Sequence, residues 1–437
     1  MSEPKANPFQ RNLTLFIAFR VLFSARFYYP VLGVLFLDLG LTLEQYAILN
    51  AAWAATIIVF EIPSGALADV IGRRRMVVAA GALMVLEIAI FAFAPTGPLL
   101  FWLLLLNRIV SGAAEACASG ADEALAYDSL PEENRDVEWP KVLARLVRWS
   151  SASFFIAMIL GAAAFDANIV NSLTSTLGLP FRWTSAETVR WPVYLTLATA
   201  VLAAGCACLL REPSGHRSGS RHPIRGVLAN VAQASRFVFS TRKILLLLLA
   251  GVLFDSTIRL FLTFASNYYR LIELPAFVNG MLGSAFAVLG FLAASLARRL
   301  ATNVPPAQVA ALLAGLLLSA LIGLCAATPI WGAWVLIPLG LVMPMTQFFL
   351  SNYLNAWTSS ELRATVLSFR GMALNVGYGL AGIGFASGTA FLRSRSPGLE
   401  NDALFGQTLF FLPGAFLFGA LALAGFAWLT RPSITQP

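Results

Sequence analysis

The chain has 437 residues, of which 58% are hydrophobic and only 12% are charged, and its net charge at pH 7 is +8. Soluble globular proteins carry about 25% charged residues, so this composition excludes a soluble fold and predicts a chain that lies mostly in lipid. The basic residues fall in short clusters between apolar runs. That spacing excludes a nucleic-acid-binding domain and indicates membrane topology.

Twelve apolar runs are each long enough to cross the hydrocarbon layer, which takes about 20 helical residues. These predicted spans cover 13–37, 45–69, 76–95, 98–121, 146–165, 192–210, 244–265, 277–297, 306–327, 330–354, 364–391 and 406–429. The sequence therefore predicts an all-α membrane protein with twelve transmembrane helices. The first run is too long for the apolar part of a signal peptide, so we expect it to remain as the first span.

A polar stretch at 211–243 separates the first six spans from the last six. It predicts an N-terminal half at 1–210, a basic cytoplasmic linker at 211–243 and a C-terminal half at 244–437. The beginning of the linker is rich in Ser, Gly and Arg, as flexible linkers are. Its second part has apolar residues at helical spacing, which predicts a helix lying in the membrane interface.

Lysine and arginine residues predict the orientation of the chain. Of the 30 such residues, 20 lie in segments that are cytoplasmic when the N-terminus is inside, and five lie in the opposite segments. Cytoplasmic loops of membrane proteins carry this excess of positive charge. We therefore expect both termini in the cytoplasm and place the protein in a plasma membrane, the bacterial inner membrane.

Ionisable side chains within predicted spans are costly in lipid and mark a transport pathway or a paired structural site. The first half contains Arg26, Glu61, Glu87, Arg108 and Glu115, and the second half contains Asp255, Arg259 and Arg370. Burial in a low dielectric disfavours the charged form of a carboxyl group, and a nearby guanidinium favours it. A carboxyl group whose neighbours change between two conformations can carry a proton. The three acids of the first half therefore predict proton coupling.

Asp255 and Arg259 lie four residues apart in the seventh predicted span, which is the spacing of a local ion pair. Two interpretations remain open, since the pair can neutralise itself or leave donors of Arg259 for a polar or anionic group of a substrate. An unpaired charge that faces lipid near the midplane is costly. We therefore expect both charges to face away from lipid.

The end of the second span reads Gly65-Ala-Leu-Ala-Asp69-Val-Ile-Gly72-Arg73-Arg74-Arg75. This segment resembles the signature between helices 2 and 3 of the major facilitator superfamily, with Val70 where the family usually has a basic residue. The run Asn107 to Gly112 resembles the buried Arg-x-x-x-Gly of proton-coupled members. The resemblance implies two parallel six-helix halves that bind a small-molecule substrate between them.

The resemblance also implies a latch made of Gly65, Asp69, Gly72, Arg73 and an acid at the cytoplasmic end of the fourth span. Gly65 is expected to let the second helix pack closely on a neighbour, and Gly72 to allow a tight turn. Asp69 is expected to meet the positive N-terminal end of the eleventh helix. For Arg73 we expect Asp122 as the partner, with Glu123 and Asp128 as alternatives.

Catalytic motifs are absent from the sequence. It contains no His-Glu-x-x-His, no Gly-x-Ser-x-Gly and no phosphate-binding loop, and its two histidines, His216 and His222, lie in the linker. We therefore predict a monomeric secondary transporter, without cofactor or metal, whose partners are a small solute, protons and membrane lipids. Efflux is one direction of transport, although the fifth span lacks the glycine-rich antiporter signature. Solute import and lipid or lysolipid flipping remain alternatives, and a membrane-embedded enzyme or sensor is a remote one.

Overall fold

A computed structural model of the chain describes residues 8–119, 121–131, 133, 135–212, 232, 235–358 and 360–430. Within these residues the secondary structure is helical, and no strand occurs. The helices are α1 (Pro8–Ser24), α2 (Leu32–Asp38), α3 (Leu43–Ile71), α4 (Arg73–Phe93), α5 (Leu100–Ala118), α6 (Ala121–Asp128), α7 (Arg135–Phe165), α8 (Ala167–Thr176), α9 (Ser185–Thr188), α10 (Trp191–Leu209), α11 (Arg242–Thr263), α12 (Ala265–Leu271), α13 (Ala276–Asn303), α14 (Pro306–Cys325), α15 (Leu336–Trp357), α16 (Ser360–Arg395), α17 (Asn401–Leu409) and α18 (Phe411–Leu429).

Eleven segments of the described residues are long and apolar enough to cross a membrane. They correspond to every predicted span except the eleventh, at 364–391. The helix in that place, α16, has 36 residues and is about 54 Å long, which exceeds the hydrocarbon thickness. Frequent glycine, serine and asparagine residues lower its hydropathy. The all-α membrane fold is thus confirmed, and the count of twelve spans stays a prediction.

The chain divides into two compact units. Unit 1 comprises Met1–Leu41, Ala52–Val227 and Ala276–Ser284, and unit 2 comprises Thr42–Ala51, Leu228–Pro275 and Ala285–Pro437. The beginning of α3 therefore belongs with the C-terminal helices, and the beginning of α13 belongs with the N-terminal helices. The interfacial helix predicted in the linker falls mostly on residues 213–231, which lie outside the described residues.

Close contacts explain why the beginning of α3 belongs to unit 2 and the beginning of α13 to unit 1. In unit 2, the Tyr46 hydroxyl donates to the carbonyl of Thr263 at 2.9 Å, and Arg393 Nε is 2.8 Å from Glu44 Oε1. In unit 1, Gly280 of α13 lies so close to the backbone of Met158 in α7 that a methyl group would collide with it.

The first predicted span is interrupted rather than continuous. Helix α1 ends at Ser24, and a short 3-10 helix at Tyr29–Val31 leads into α2. Pro30 explains the break, because it has no N–H for the carbonyl of Arg26 and its ring clashes with that carbonyl. The expectation that Arg26 lies within a continuous helix is wrong, since it lies in the non-helical segment between α1 and α2.

Helix α10 satisfies backbone groups that this interruption exposes. The N–H of Phe27 donates to the Thr196 hydroxyl at 3.0 Å, and the Thr199 hydroxyl donates to the carbonyl of Ala25 at 3.3 Å. Helix α7 approaches from another side, where Gly161 lies against the carbonyl of Phe27. Such partners are needed because an unpaired backbone group within the membrane is costly. The interruption is therefore built into the packing of unit 1.

Candidate functional site

The buried polar centre of unit 1 joins the interrupted first span to α4 and α5. Arg26 and Glu87 form an ion pair, and their side chains are only 6% and 1% exposed. Asn107 Nδ2 donates to Glu87 Oε2 at 3.0 Å and to the backbone carbonyl of Glu87 at 2.7 Å. Both carboxylate oxygens of Glu87 therefore have donors, which a buried ion pair needs in order to offset its desolvation.

Arg108, the residue after Asn107 in α5, lacks a complete set of hydrogen-bond partners among the described residues. Its side chain is 6% exposed, yet Nε and Nη2 have no hydrogen-bond partner in the described part of the chain. Its guanidinium lies 5.0 Å from the centre of the Phe36 ring, a cation–π contact. Asn107 Oδ1 beside it is also without a partner among these residues. A buried guanidinium with free donors attracts an acceptor, whether a carboxylate of the protein or a group of a substrate.

The structure brings some of the predicted residues of the first half together and not others. Arg26 and Glu87 are in contact. Arg108 directly follows Asn107, the residue of α5 that donates to Glu87. Glu61 and Glu115 are partly buried, and no ion pair is recorded for either within the described residues. The sequence analysis did not assign a role to Asn107, although an asparagine within an apolar span was a usable signal.

Unit 2 contains a second buried network around Asp255 and Arg259, which form the ion pair expected from their spacing. Gln347 Nε2 donates to Asp255 Oδ1 at 2.8 Å, and Arg259 Nη1 donates to Asn375 Oδ1 at 2.8 Å. The guanidinium also lies 4.9 Å from the centre of the Tyr378 ring. One donor of Arg259, Nη1, is thus taken by an asparagine on α16, and both interpretations of the pair stay predictions.

Arg370 lies on the same helix as Asn375 and within electrostatic reach of Asp255. Its Nε is buried and has no hydrogen-bond partner among the described residues. Unit 2 therefore resembles unit 1, because each combines a satisfied ion pair with a second arginine that has at least one free donor.

The two members of the unit 2 ion pair differ in exposure, which predicts unequal effects of their removal. Asp255 is 1% exposed and Arg259 is 25% exposed. Arg259→Ala leaves the buried Asp255 carboxylate without its counter-ion. Asp255→Ala instead leaves a guanidinium that still contacts Asn375 and Tyr378. We expect Arg259→Ala to reduce transport in vesicles more than Asp255→Ala, and the double variant to fold, because it leaves neither charge unpaired. Full uptake by both single variants at normal expression would contradict this assignment.

The latch residues are placed partly as expected. Gly72 has a φ of +100°, which glycine adopts without strain, and it forms the turn between α3 and α4. The expectation that Arg73 pairs with Asp122 is wrong. Arg73 pairs with Asp128, one of the two alternatives, and also donates to the carbonyl of Ala124 at 3.2 Å.

Asp122 instead pairs with Arg20 of α1, whose Nε is 3.2 Å from Asp122 Oδ2. Helix α6 explains the difference, because its first turn directs Asp122 into the core of unit 1 while its last residue, Asp128, is partly exposed. An added side chain at Gly65 would meet nothing within 4 Å among the described residues, so the close packing expected there stays a prediction. The Asp69 side chain lies outside the described residues.

Comparison with known proteins agrees with this architecture. The family model of the Major Facilitator Superfamily matches residues 14–382. No curated protein sequence matches the chain significantly. Among solved structures, a bacterial homologue of the human lysosomal transporter Spinster, inward-facing and unoccupied, has a TM-score of 0.71 at 15% identity, covering 98% of this chain and 97% of that chain.

Two further solved structures share the fold. The nucleoside transporter NupG has a TM-score of 0.68 at 13% identity, covering 98% of this chain and 100% of that chain. A D-xylose-proton symporter has a TM-score of 0.63 at 13% identity, covering 94% of this chain and 97% of that chain. At these identities the likeness shows the fold alone.

Proposed function

The chain belongs to the Major Facilitator Superfamily, and from that premise we propose that it couples the movement of a small solute to the movement of protons. It is a multi-pass membrane protein of a family of secondary transporters and not an enzyme. The proposal keeps two halves, at 1–210 and 244–437, which alternate in exposing a substrate site. Both termini lie in the cytoplasm, in accordance with the lysine and arginine bias.

One observation carries the coupling proposal. Glu87 is held by Arg26 and Asn107, while Arg108 directly follows Asn107 and has free buried donors. A carboxyl group that exchanges one guanidinium partner for another, or loses both, changes its affinity for a proton. A substrate acceptor that occupies Arg108 in one conformation would compete with the acids for it. This competition links substrate binding to protonation.

The latch belongs to the same proposal. The contact between Arg73 and Asp128 and the turn at Gly72 support a charged connection of the α3–α4 turn with α6. We keep Asp69 as a proposed member of the latch because of its place in the motif. Solute export and import use the same cycle in opposite directions. In the experiment below, substrate uptake that acidifies the lumen indicates symport, and uptake that alkalinises it indicates antiport.

We expect substrate movement in reconstituted vesicles to change the internal pH. A thermal-shift screen of metabolites and drugs on the purified protein supplies the substrate, and a pH-sensitive dye in the lumen follows the protons. The triple variant Glu61→Gln/Glu87→Gln/Glu115→Gln is expected to lose the proton signal, since it removes the three acids of the proposed coupling centre. Glu138→Gln, at an exposed acid of α7, is the control and should transport normally. A triple variant that still responds to a proton gradient would refute the coupling centre.

A further inference from the structure

A polar pocket of about 450 Å³ lies at one end of unit 1, lined by Arg11, Arg74, Cys208, Leu209, Leu210, Arg211 and Glu212. Three spanning elements end there, because Arg11 is near the beginning of α1, Arg74 is in the first turn of α4, and Leu209 is the last residue of α10. Because spans end there, we expect the pocket to lie where hydrocarbon gives way to the headgroup region. Three of its lining residues are arginines.

The one carboxylate of the pocket lining is already in use. Glu212 Oε1 accepts from the backbone N–H of Arg73 at 3.1 Å, and Oε2 accepts from the backbone N–H of Arg74 at 2.8 Å. These N–H groups are free donors at the positive N-terminal end of α4, where a carboxylate is stabilised. Glu212 therefore caps a helix and forms no ion pair with the pocket arginines among the described residues.

Arg74 has a structural role, and among the described residues no such role is seen for the side chains of Arg11 and Arg211. Arg74 Nε donates to the carbonyl of Leu210 at 2.6 Å, and its Nη2 donates to the carbonyl of Cys208 at 3.0 Å, so it caps the end of α10. The backbone of Arg211 is held by Asn12, which accepts from its N–H at 3.0 Å and donates to its carbonyl at 2.8 Å. No side-chain contact of Arg11 or Arg211 is recorded in the described part of the chain.

We propose that this pocket binds the phosphate of an anionic phospholipid headgroup, held between the guanidinium groups of Arg11 and Arg211 and beside Arg74. Guanidinium groups pair with phosphate through several parallel hydrogen bonds. The fixed backbone of Arg211 holds one of these groups at the rim of the pocket. Leu209, which is 52% exposed at the same rim, offers an apolar surface for the lipid's glycerol and acyl portion. This amphipathic lining favours a lipid over a free anion.

The test uses the full chain purified in detergent, with phosphatidylglycerol, phosphatidylcholine or inorganic phosphate added. The pocket variant is Arg11→Gln/Arg211→Gln, which spares Arg74 because of its capping role. The matched control is Arg298→Gln/Arg299→Gln, which removes two exposed arginines of α13 outside the pocket. Melting temperature and the lipid retained in native mass spectra are the two measurements.

We expect phosphatidylglycerol, and neither phosphatidylcholine nor inorganic phosphate, to raise the melting temperature of the wild type and the control. The pocket variant should retain about tenfold less phosphatidylglycerol, because each basic residue at the membrane surface contributes its own attraction to anionic lipid and this variant removes two. An equal loss in pocket and control variants would overturn the site, and stabilisation by inorganic phosphate would overturn the lipid assignment. If the double variant is poorly expressed, Arg11→Gln and Arg211→Gln alone are each expected to show a severalfold loss, and their normal retention would overturn the proposal.

Discussion

Glu87→Leu is expected to destabilise unit 1 by about 3–5 kcal/mol, because it leaves the guanidinium of Arg26 buried without its counter-ion. Asn107 keeps its hydrogen bond to the backbone carbonyl of residue 87, so the loss falls mainly on Arg26. The double variant Arg26→Leu/Glu87→Leu should recover most of that stability, since two apolar side chains of similar volume replace a pair with a large desolvation penalty. Equilibrium unfolding in mixed micelles gives the free energies of unfolding.

Transport should separate from stability in this series. We expect both the single and the double variant to lose proton-coupled uptake in vesicles, because neither retains a carboxyl group at position 87. Glu138→Leu is the control for stability, since Glu138 and Lys141 form a pair that is 40% and 60% exposed. Its effect should stay below about 1 kcal/mol. If Glu87→Leu lowers the free energy of unfolding no more than the control does, the buried pair contributes little to stability. If the double variant still shows proton-coupled uptake, Glu87 has no part in the mechanism.

Gly161→Ala is expected to destabilise the protein by about 3 kcal/mol, the upper end of the usual range for overpacking. The added methyl group would collide with the carbonyl of Phe27, which is a backbone atom and not the flexible end of a side chain. That backbone is also held by the hydrogen bond from Phe27 N–H to Thr196, so it cannot shift without losing a buried partner. A fall in the melting temperature of the purified protein measures the effect.

Gly205→Ala is the matched control for this substitution. Gly205 lies within α10 of the same unit, and an added methyl group there would meet nothing within 4 Å among the described residues. Alanine is favoured over glycine within a helix by about 0.5–1 kcal/mol, so this variant should be as stable as the wild type or slightly more stable. Equal melting temperatures for Gly161→Ala and Gly205→Ala would mean that α7 does not approach the interrupted first span closely.

Local patterns in the sequence were sufficient for the architecture. Apolar runs of about 20 residues identify membrane helices because every residue of such a run must be compatible with lipid, and this requirement does not depend on neighbours in space. The turn at Gly72 was predictable for a similar reason, since its positive φ is a property of one residue and its motif. The pair of Asp255 and Arg259 was predictable because helical geometry alone brings positions i and i+4 together.

The partners of the remaining charges depended on tertiary structure. Arg73 contacts Asp128 rather than Asp122 because the direction of α6 decides which acid faces α4, and no local pattern determines that direction. The break after Ser24 was detectable from Pro30. Its exposed backbone groups, however, are satisfied by Thr196 and Thr199 of a distant helix, and Gly161 of another leaves room for the Phe27 carbonyl. The sequence by itself determined which segments are apolar enough to enter the membrane and which of them carry charge. Tertiary packing decided which charges are satisfied and which, such as Arg108, keep free donors, because that outcome depends on side chains far apart in the chain.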